Sequence, residues 1–347
     1  MANIYLRSRD IILILRIIFN IRKMYSIKEL QDIINQSVEN EKIGGEPRGL
    51  YEPIEYTLQS GGKRIRPALV LMACNLFTDH IDEAIRPAIG LEIFHNFTLL
   101  HDDIMDHADI RRGLATVHKK WDENTAILSG DAMFIKAYEY FLDCKSPAFR
   151  DILKVFNQTA LEVCEGQQYD MEFEKRQEVS EQEYIRMIEL KTSVLLAAAL
   201  KIGALIGGAE KPEADLLYEF GRNIGLAFQL QDDLLDVYGD ENVFGKQIGG
   251  DIVSNKKTFL LIKAKELANN EKREILESWL QNKEADRIEK VKAVTSIYNK
   301  IKIKETTQNR ILELTQKALD YLDQINVENE KKIELKNLAG KLINRNS

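Results

Sequence analysis

The sequence predicts an all-α protein. Apolar residues recur at helical spacing along most of the chain, period-two alternation is scarce, and only six prolines interrupt 347 residues. The first amphipathic segment, 27–40, follows Met24 in MYSIKELQDIINQ. A second, 65–77, opens beside Pro67, a residue that suits a helix start. Helices are expected over 85–105, 124–143, 149–173, 181–206 and 213–237. Past Lys256 the pattern becomes shorter and more charged, and it ends in helices around 300–325 and 328–343. LEIFHNFTLL and LLAAALKIGALIGG are apolar on more than one face, which places them inside a bundle. Ala197, Ala198, Ala199 and Gly203 permit close helix approach there; packing explains these residues fully.

A hydrophobic share of 44% supports a large core and argues against disorder. No linker rich in Gly, Pro or Ser divides the chain and no solenoid repeat is present, so residues 24–347 read as a single domain. Residues 1–23 differ. Four basic residues flank the run IILILRIIFNI, which is too short for a transmembrane span and carries a fifth, Arg16. This extension reads as an upstream, misassigned start, with a basic membrane-surface anchor as the alternative. A net charge of −7 without a long basic run gives no reason to expect nucleic-acid binding. Cys74, Cys144 and Cys164 lack metal-ligand spacing and are odd in number, as in a reduced, cytoplasmic protein.

The strongest signal is a doubled acidic motif. Asp102, Asp103 and Asp106 form one copy; Asp232, Asp233 and Asp236 form the other. Each lies in an apolar helical stretch, where carboxylates are rare unless paired or bound to metal. Residues i and i+4 are roughly 40° apart around a helix, so Asp102 shares a face with Asp106, and Asp232 with Asp236. Oxygen-only ligands suit Mg²⁺, which keeps waters and completes its shell with substrate phosphates. Two such clusters suggest a site for a diphosphate held by several metal ions. A capped or solvated surface would explain one copy; it explains two embedded copies poorly.

Cations flank both motifs. GGKRIRP sets Gly61 and Gly62 before Lys63, Arg64 and Arg66, a reasonable anion cradle at a helix start. Arg111 and Arg112 follow the first motif, and a guanidinium can grip phosphate oxygens bidentately. Lys191 and Thr192 open an apolar run, while Lys246, Lys256 and Lys257 follow the second motif. His95 lies seven residues before Asp102, near the same face, and could donate a hydrogen bond to a phosphate; a packed core histidine is the plain alternative.

GGKRIRP, LLHDDIMD with RRG, GDAMF, GQQYDM, KTS, FQLQDDLLDVYGD, GK and NKKT occur in this order. Together they resemble the trans-isoprenyl diphosphate synthases, the polyprenyl synthetase family, over roughly 50–257 and more weakly at LAGKLINR. The resemblance implies a large antiparallel helix bundle around a deep central cavity, usually a homodimer. It implies head-to-tail condensation of isopentenyl diphosphate with an allylic diphosphate, assisted by about three Mg²⁺ ions. By the same resemblance, Asp102 and Asp106 would hold two ions on the allylic diphosphate and Asp232 a third. Asp103 and Asp236 would support them through water or hydrogen bonds, with Gln167 and Asp170 nearby. Arg111, Lys191 and Lys256 would contact the same diphosphate, with Lys246 beside them. Lys63, Arg66, His95 and Arg112 would bind isopentenyl diphosphate. Thr192 and Gln229 would turn oxygen dipoles toward the carbocation, and the departing pyrophosphate would take the proton. Phe97, five residues before Asp102, would floor the cavity and stop growth at the twenty-carbon geranylgeranyl product, or the fifteen-carbon farnesyl one.

Three other readings fit less well. A class I terpene cyclase would need a different second motif from DDLLDVYGD. A metal-dependent phosphohydrolase built on His95, His101 and Asp102 leaves the second motif without a role. A non-catalytic subunit of a heteromeric synthase would usually have degraded acidic motifs, and both are intact.

Overall fold

The computed structural model describes residues 24–41, 43–239, 248–282 and 284–343. The expected extension 1–23 and Lys246 lie outside them. The described residues are all-α apart from one antiparallel pair, β1 (Ile110–Arg111) and β2 (Leu114–Ala115). They form two compact units, 24–147 with 203–209, and 148–202 with 210 onward.

The first unit contains α1 (Ile27–Asn40), α2 (Arg48–Gln59), α3 (Ile65–Phe77), α4 (Asp82–Met105), α5 (Val117–Lys120) and α6 (Glu123–Leu142). Ser26 and Glu29 form a reciprocal capping box at the start of α1, and Asp122 caps α6 through the Thr125 amide. The helix α2 was not legible in the apolar spacing because Pro53 interrupts it. Pro53 removes one ladder bond. The helix persists because Pro53, Ile54 and Leu58 are buried, and packing outweighs local propensity. Nearly all of α3 is buried, and α4 is buried on several faces, as its sequence required. Gly90 lets α4 lie close to α6: a Cβ there would stand 2.9 Å from the Ala137 carbonyl.

The second unit contains α7 (Phe149–Lys175), α8 (Glu181–Ile188), α9 (Val194–Ile206, its residues from Gly203 on belonging to the first unit) and α10 (Lys211–Tyr238). Then follow α11 (Gly250–Val253), α12 (Phe259–Leu267), α13 (Asn270–Gln281), α14 (Arg287–Lys300), α15 (Ile303–Asp323) and α16 (Asn329–Ile343). A capping box of Ser180 and Glu183 starts α8. The expected single helix over 181–206 contains a π-turn, Glu189–Ser193. Its two flanking helices are regular, so the extra residue is confined to ELKTS. Such π-bulges gather at functional sites.

Candidate active site

The first acidic motif ends α4. Asp106 closes the last turn, its N–H donating to the Asp102 carbonyl at 2.8 Å, so the two carboxylates stand one turn apart on one side. Asp102 is half-buried and Asp106 exposed. Asp103 turns inward instead, and its Oδ1 accepts from Arg111 Nε at 2.7 Å. Burial raises the Asp103 pKa, while the Arg111 charge opposes that rise.

Arg111 belongs to the hairpin that follows. Register pairs it with Leu114, leaving Arg112 and Gly113 as the two-residue loop, with φ of 52° and 77°. Two positive φ values are what the tight primed hairpin turn requires, so the Gly in RRG is there for its backbone. The turn sends Arg112 back toward GGK. Its Nη1 donates to the Gly61 carbonyl and reaches Ser60 Oγ at 3.3 Å. A Cβ on Gly62 would stand 2.9 Å from the same guanidinium.

Arg64, one of the basic residues expected in the cradle, does not join it. Its φ of 47° at the start of α3 directs the side chain into the core. There it pairs with Glu92 and the Leu58 carbonyl, both guanidinium and carboxylate being buried. Arg66 stays with the site: its Nη1 lies 3.0 Å from His95 Nε2. A guanidinium has only donors, so Nε2 accepts and the proton of the neutral ring sits on Nδ1. Any bond from His95 to a phosphate would therefore come from Nδ1–H. Burial, followed by the charges of Arg66, Arg112, Arg111 and Arg64, holds the His95 pKa well below its ordinary value. Burial also lowers Arg66 to about 10, with Arg112 adding to the effect and Glu92 opposing it. Arg66 Nε is buried without a hydrogen-bond partner among the described residues. Lys63 is exposed, and its carbonyl accepts from Gln31 Nε2.

Phe97 sits in an aromatic cluster one to two turns before the acidic motif. Its ring stacks on Phe134 at 5.3 Å and meets the edge of His101 at 4.7 Å. Tyr138 closes on Phe134 at 5.3 Å. His101 is accommodated by Gly130 of GDAMF, where a Cβ would collide with the imidazole.

In the second unit the bulged KTS segment lies against two glycines. A Cβ at Gly166 would strike the Lys191 backbone, and one at Gly225 would stand 2.7 Å from Ser193 Cα. The bulge presents Lys191 and Thr192. Lys191 Nζ pairs with Asp170 at 2.7 Å. Thr192 Oγ1 donates to Gln229 Oε1 at 3.3 Å, and Gln229 Nε2 donates to Asp233 Oδ1 at 3.3 Å. The Tyr184 hydroxyl donates to the other oxygen of Asp233. Burial pushes the Asp233 pKa up to about 6, although Tyr184, Lys256 and Gln229 favour its charge. Asp232 is half-buried; Asp236 Oδ2 accepts the Asp251 amide at 3.0 Å. Asp251 lies near Lys256, and burial raises it to about 7 against the pull of that lysine. Lys256 is exposed, while Lys257 Nζ turns away to the Glu174 carbonyl at 3.1 Å.

Sequence reasoning missed Glu92, Tyr184, Asp251, Phe134 and Tyr138. The GDAMF motif contained Phe134, but nothing in spacing ties Tyr184 to an aspartate 49 positions away. Among the described residues no group of three His, Cys, Asp or Glu is close enough to hold a metal by itself. The carboxylates of Asp102, Asp106 and Asp232 are oxygen donors of the kind Mg²⁺ takes, usually one or two at a time with water and substrate phosphate completing its shell. Cys74, Cys144 and Cys164 are unbridged, and burial pushes the Cys74 thiol up to about 12. No helix among the described residues is long and apolar enough to cross a membrane.

The polyprenyl synthetase family model matches residues 47–298. The geranylgeranyl diphosphate synthase of Methanosarcina mazei is 46% identical over 220 residues, 63% of this chain and 68% of that protein. The geranylfarnesyl diphosphate synthase of Natronomonas pharaonis is 40% identical over 260 residues, 70% of this chain and 76% of its own. A crystal structure of a geranylgeranyl pyrophosphate synthase superposes with a TM-score of 0.89 at 45% identity, covering 93% of this chain and 100% of that one. With the doubled acidic motif, the all-α fold and a family match across most of its length, the chain belongs to the polyprenyl synthetase family.

Proposed function

We propose that this protein is a short-chain trans-prenyltransferase that joins isopentenyl diphosphate head-to-tail to an allylic diphosphate, with geranylgeranyl diphosphate as its main product. The observation that carries the reading is the gathering of Arg66, His95 and Arg112 around the Gly61–Gly62 turn. Two guanidiniums whose pKa values are lowered, first by burial and then by neighbouring arginines, one with an unpartnered Nε, form a cationic cluster suited to a diphosphate. Isopentenyl diphosphate fits there, with Lys63 at the rim.

The allylic diphosphate falls to the acidic motifs. Asp102, Asp106 and Asp232 would hold Mg²⁺ with it, supported by Asp103 through Arg111 and by Asp236 through the Asp251 amide. Magnesium, when bound, would draw off charge developing on the leaving pyrophosphate. By the family resemblance, Arg111, Lys191 and Lys256 would neutralise the same group; Lys246, which the resemblance also assigns, lies outside the described residues. The allylic C–O bond breaks with both electrons going to pyrophosphate. The alkene of isopentenyl diphosphate then attacks the allylic carbon, and a proton is lost to pyrophosphate. The amide of Gln229, anchored on Asp233, keeps its oxygen toward Thr192, so both oxygens can face the cation. Fixed dipoles of this kind need no reorganisation during ionisation.

The relatives named geranylgeranyl and geranylfarnesyl synthases support a product of about this length. The stacked Phe97 and Phe134 supply a floor, and Thr98 in place of a further ring favours twenty carbons over fifteen. A homodimer is supported by α6: Leu128, Ile135 and Leu142, seven residues apart, are 60%, 63% and 64% exposed. Seven-residue spacing puts them on one stripe, and such stripes mark association surfaces.

The test is incubation of purified protein with isopentenyl diphosphate, Mg²⁺ and, separately, dimethylallyl, geranyl and farnesyl primers. Mass spectrometry should find a twenty-carbon diphosphate from each. Folded protein that elongates none of them would overturn the reading, and sedimentation at monomer mass would overturn the dimer.

A further inference from the structure

Lys290 lies on α14, outside every motif considered above, and is only 5% exposed. Its ammonium donates to the Val253 carbonyl at 3.2 Å and to Asn255 Oδ1 at 2.7 Å. Both partners are neutral oxygens. Burying an ammonium against neutral partners is costly compared with an apolar side chain of similar volume, so packing alone does not account for this lysine.

Val253 ends α11 and Asn255 lies in the turn between α11 and α12, the segment that carries Lys256. Asn255 has a φ of 56°, a left-handed conformation that Asn tolerates better than most residues. Its amide is held from both ends. Oδ1 accepts from Lys290, and Nδ2 donates to the Leu280 carbonyl in the last turn of α13 at 2.9 Å. The backbone of Lys256 then returns to α11, its N–H donating to the Asp251 carbonyl at 2.9 Å. The left-handed residue sets the direction of the next Cα–Cβ bond, and hence of the lysine stem.

We propose that Lys290 is a positioning residue for allylic diphosphate binding: acting through Asn255, it fixes the direction in which Lys256 presents its ammonium. This rests on the assignment of Lys256 to that diphosphate. Lys256 is exposed and has a long flexible side chain, so its base must be held if the charge is to meet the leaving group. A displacement of about 1 Å at a catalytic charge can cost on the order of 100-fold in rate.

The experiment is steady-state kinetics with both substrates varied, plus thermal unfolding, for Lys290→Met, Asn255→Gly, their combination, and Lys256→Ala. Asn255→Gly removes the amide while keeping the left-handed backbone available. Lys290→Met should raise the KM for the allylic primer about tenfold and lower kcat severalfold, with the KM for isopentenyl diphosphate within about twofold of the parent. Asn255→Gly should do the same, and the double variant should be no worse than the poorer single, because the two act as one unit. Unchanged kinetics in Lys290→Met with a lowered Tm would assign the residue to stability alone and overturn the proposal. So would effects of the two substitutions that multiply. Should Lys290→Met fail to fold, an unchanged allylic KM in Asn255→Gly overturns it instead. Lys256→Ala separates the two levels. A normal allylic KM there removes the assignment of Lys256 and the proposal with it; a raised one, beside a normal Lys290→Met, removes only the proposal.

Discussion

The hydroxyl of Tyr184 donates to the buried carboxylate of Asp233, tying α8 to the second acidic motif. This bond ends a relay in which Thr192 donates to Gln229 and Gln229 donates to Asp233. The middle aspartate therefore acts as the fixed anchor of a polar chain that orients Thr192 and Gln229. Tyr184→Phe should leave Asp233 short of a donor and destabilise the protein by about 1–3 kcal/mol in urea unfolding. Turnover should fall as well, because Gln229 loses a rigid anchor. A variant with parental stability and turnover would show that the relay has no such role.

The π-turn gives a second prediction. Gly166 and Gly225 leave room for the Lys191 and Ser193 backbone, and a methyl group at either position meets main chain, which cannot swing aside. Gly166→Ala should cost about 1–3 kcal/mol from overpacking. It should also displace Lys191 from Asp170 and reduce kcat more than the KM for isopentenyl diphosphate. A well-folded variant with parental kinetics would mean that the bulge relaxes without moving Lys191.

Asp102→Ala and Asp232→Ala should each reduce turnover by a factor on the order of 100 or more while leaving the helical circular dichroism unchanged, because preorganised charge dominates the ionisation step. Chelation of divalent metal from the native protein should abolish activity, and added Mg²⁺ should restore it. Near-parental rates for either variant at limiting Mg²⁺ would contradict the metal assignment.

His95 gives a pH dependence. Its folded pKa lies well below that of the unfolded chain, so between the two values the unfolded state binds the additional proton. Stability is then complete above the ordinary histidine pKa of about 6.5 and declines as pH falls below it, by at most about 1.4 kcal/mol per pH unit. The charges facing the ring are Arg66 and Arg64 from α3 and its start, and Arg111 and Arg112 from the hairpin. In His95→Gln this share of the decline should disappear. The difference between native and variant urea midpoints from pH 7 to pH 5 measures it; parallel curves would refute the depressed pKa.

Much of this site was legible in the sequence because its key residues sit on regular helices. A period of 3.6 residues places Asp102 with Asp106 and Asp232 with Asp236 whatever the tertiary fold. The same period turns Asp103 and Asp233 roughly 100° away, toward the core, where each acquires a hydrogen-bond donor. Positions outside regular helix were harder to read. Arg64 and Arg66 look alike in GGKRIRP, and only the left-handed backbone at Arg64 sends one to Glu92 and the other to His95. The bulge at KTS fits into room left by glycines distant in sequence, so no local spacing announces it. Lys290 was silent for the same reason, since its partners lie 35 and 37 positions away.

The proposed product length rests on Phe97 and the ring stacked on it. Phe97 is half-buried and stacks on Phe134 with an interplanar angle of 20°, so the two rings form one surface. Tyr138 meets Phe134 edge-on at 70°. On the proposed reading, a growing prenyl chain would stop where it meets this surface. Phe97→Ala should therefore shift products upward by at least one five-carbon unit, with little change in the KM for isopentenyl diphosphate. Phe134→Ala removes the support and not the contact, so it should broaden the product distribution before lengthening it. The double variant should give the longest chains, read by mass spectrometry of the dephosphorylated products. An unchanged distribution in Phe97→Ala would move the floor to other side chains, and lengthening in Phe134→Ala alone would make that ring the surface the chain meets.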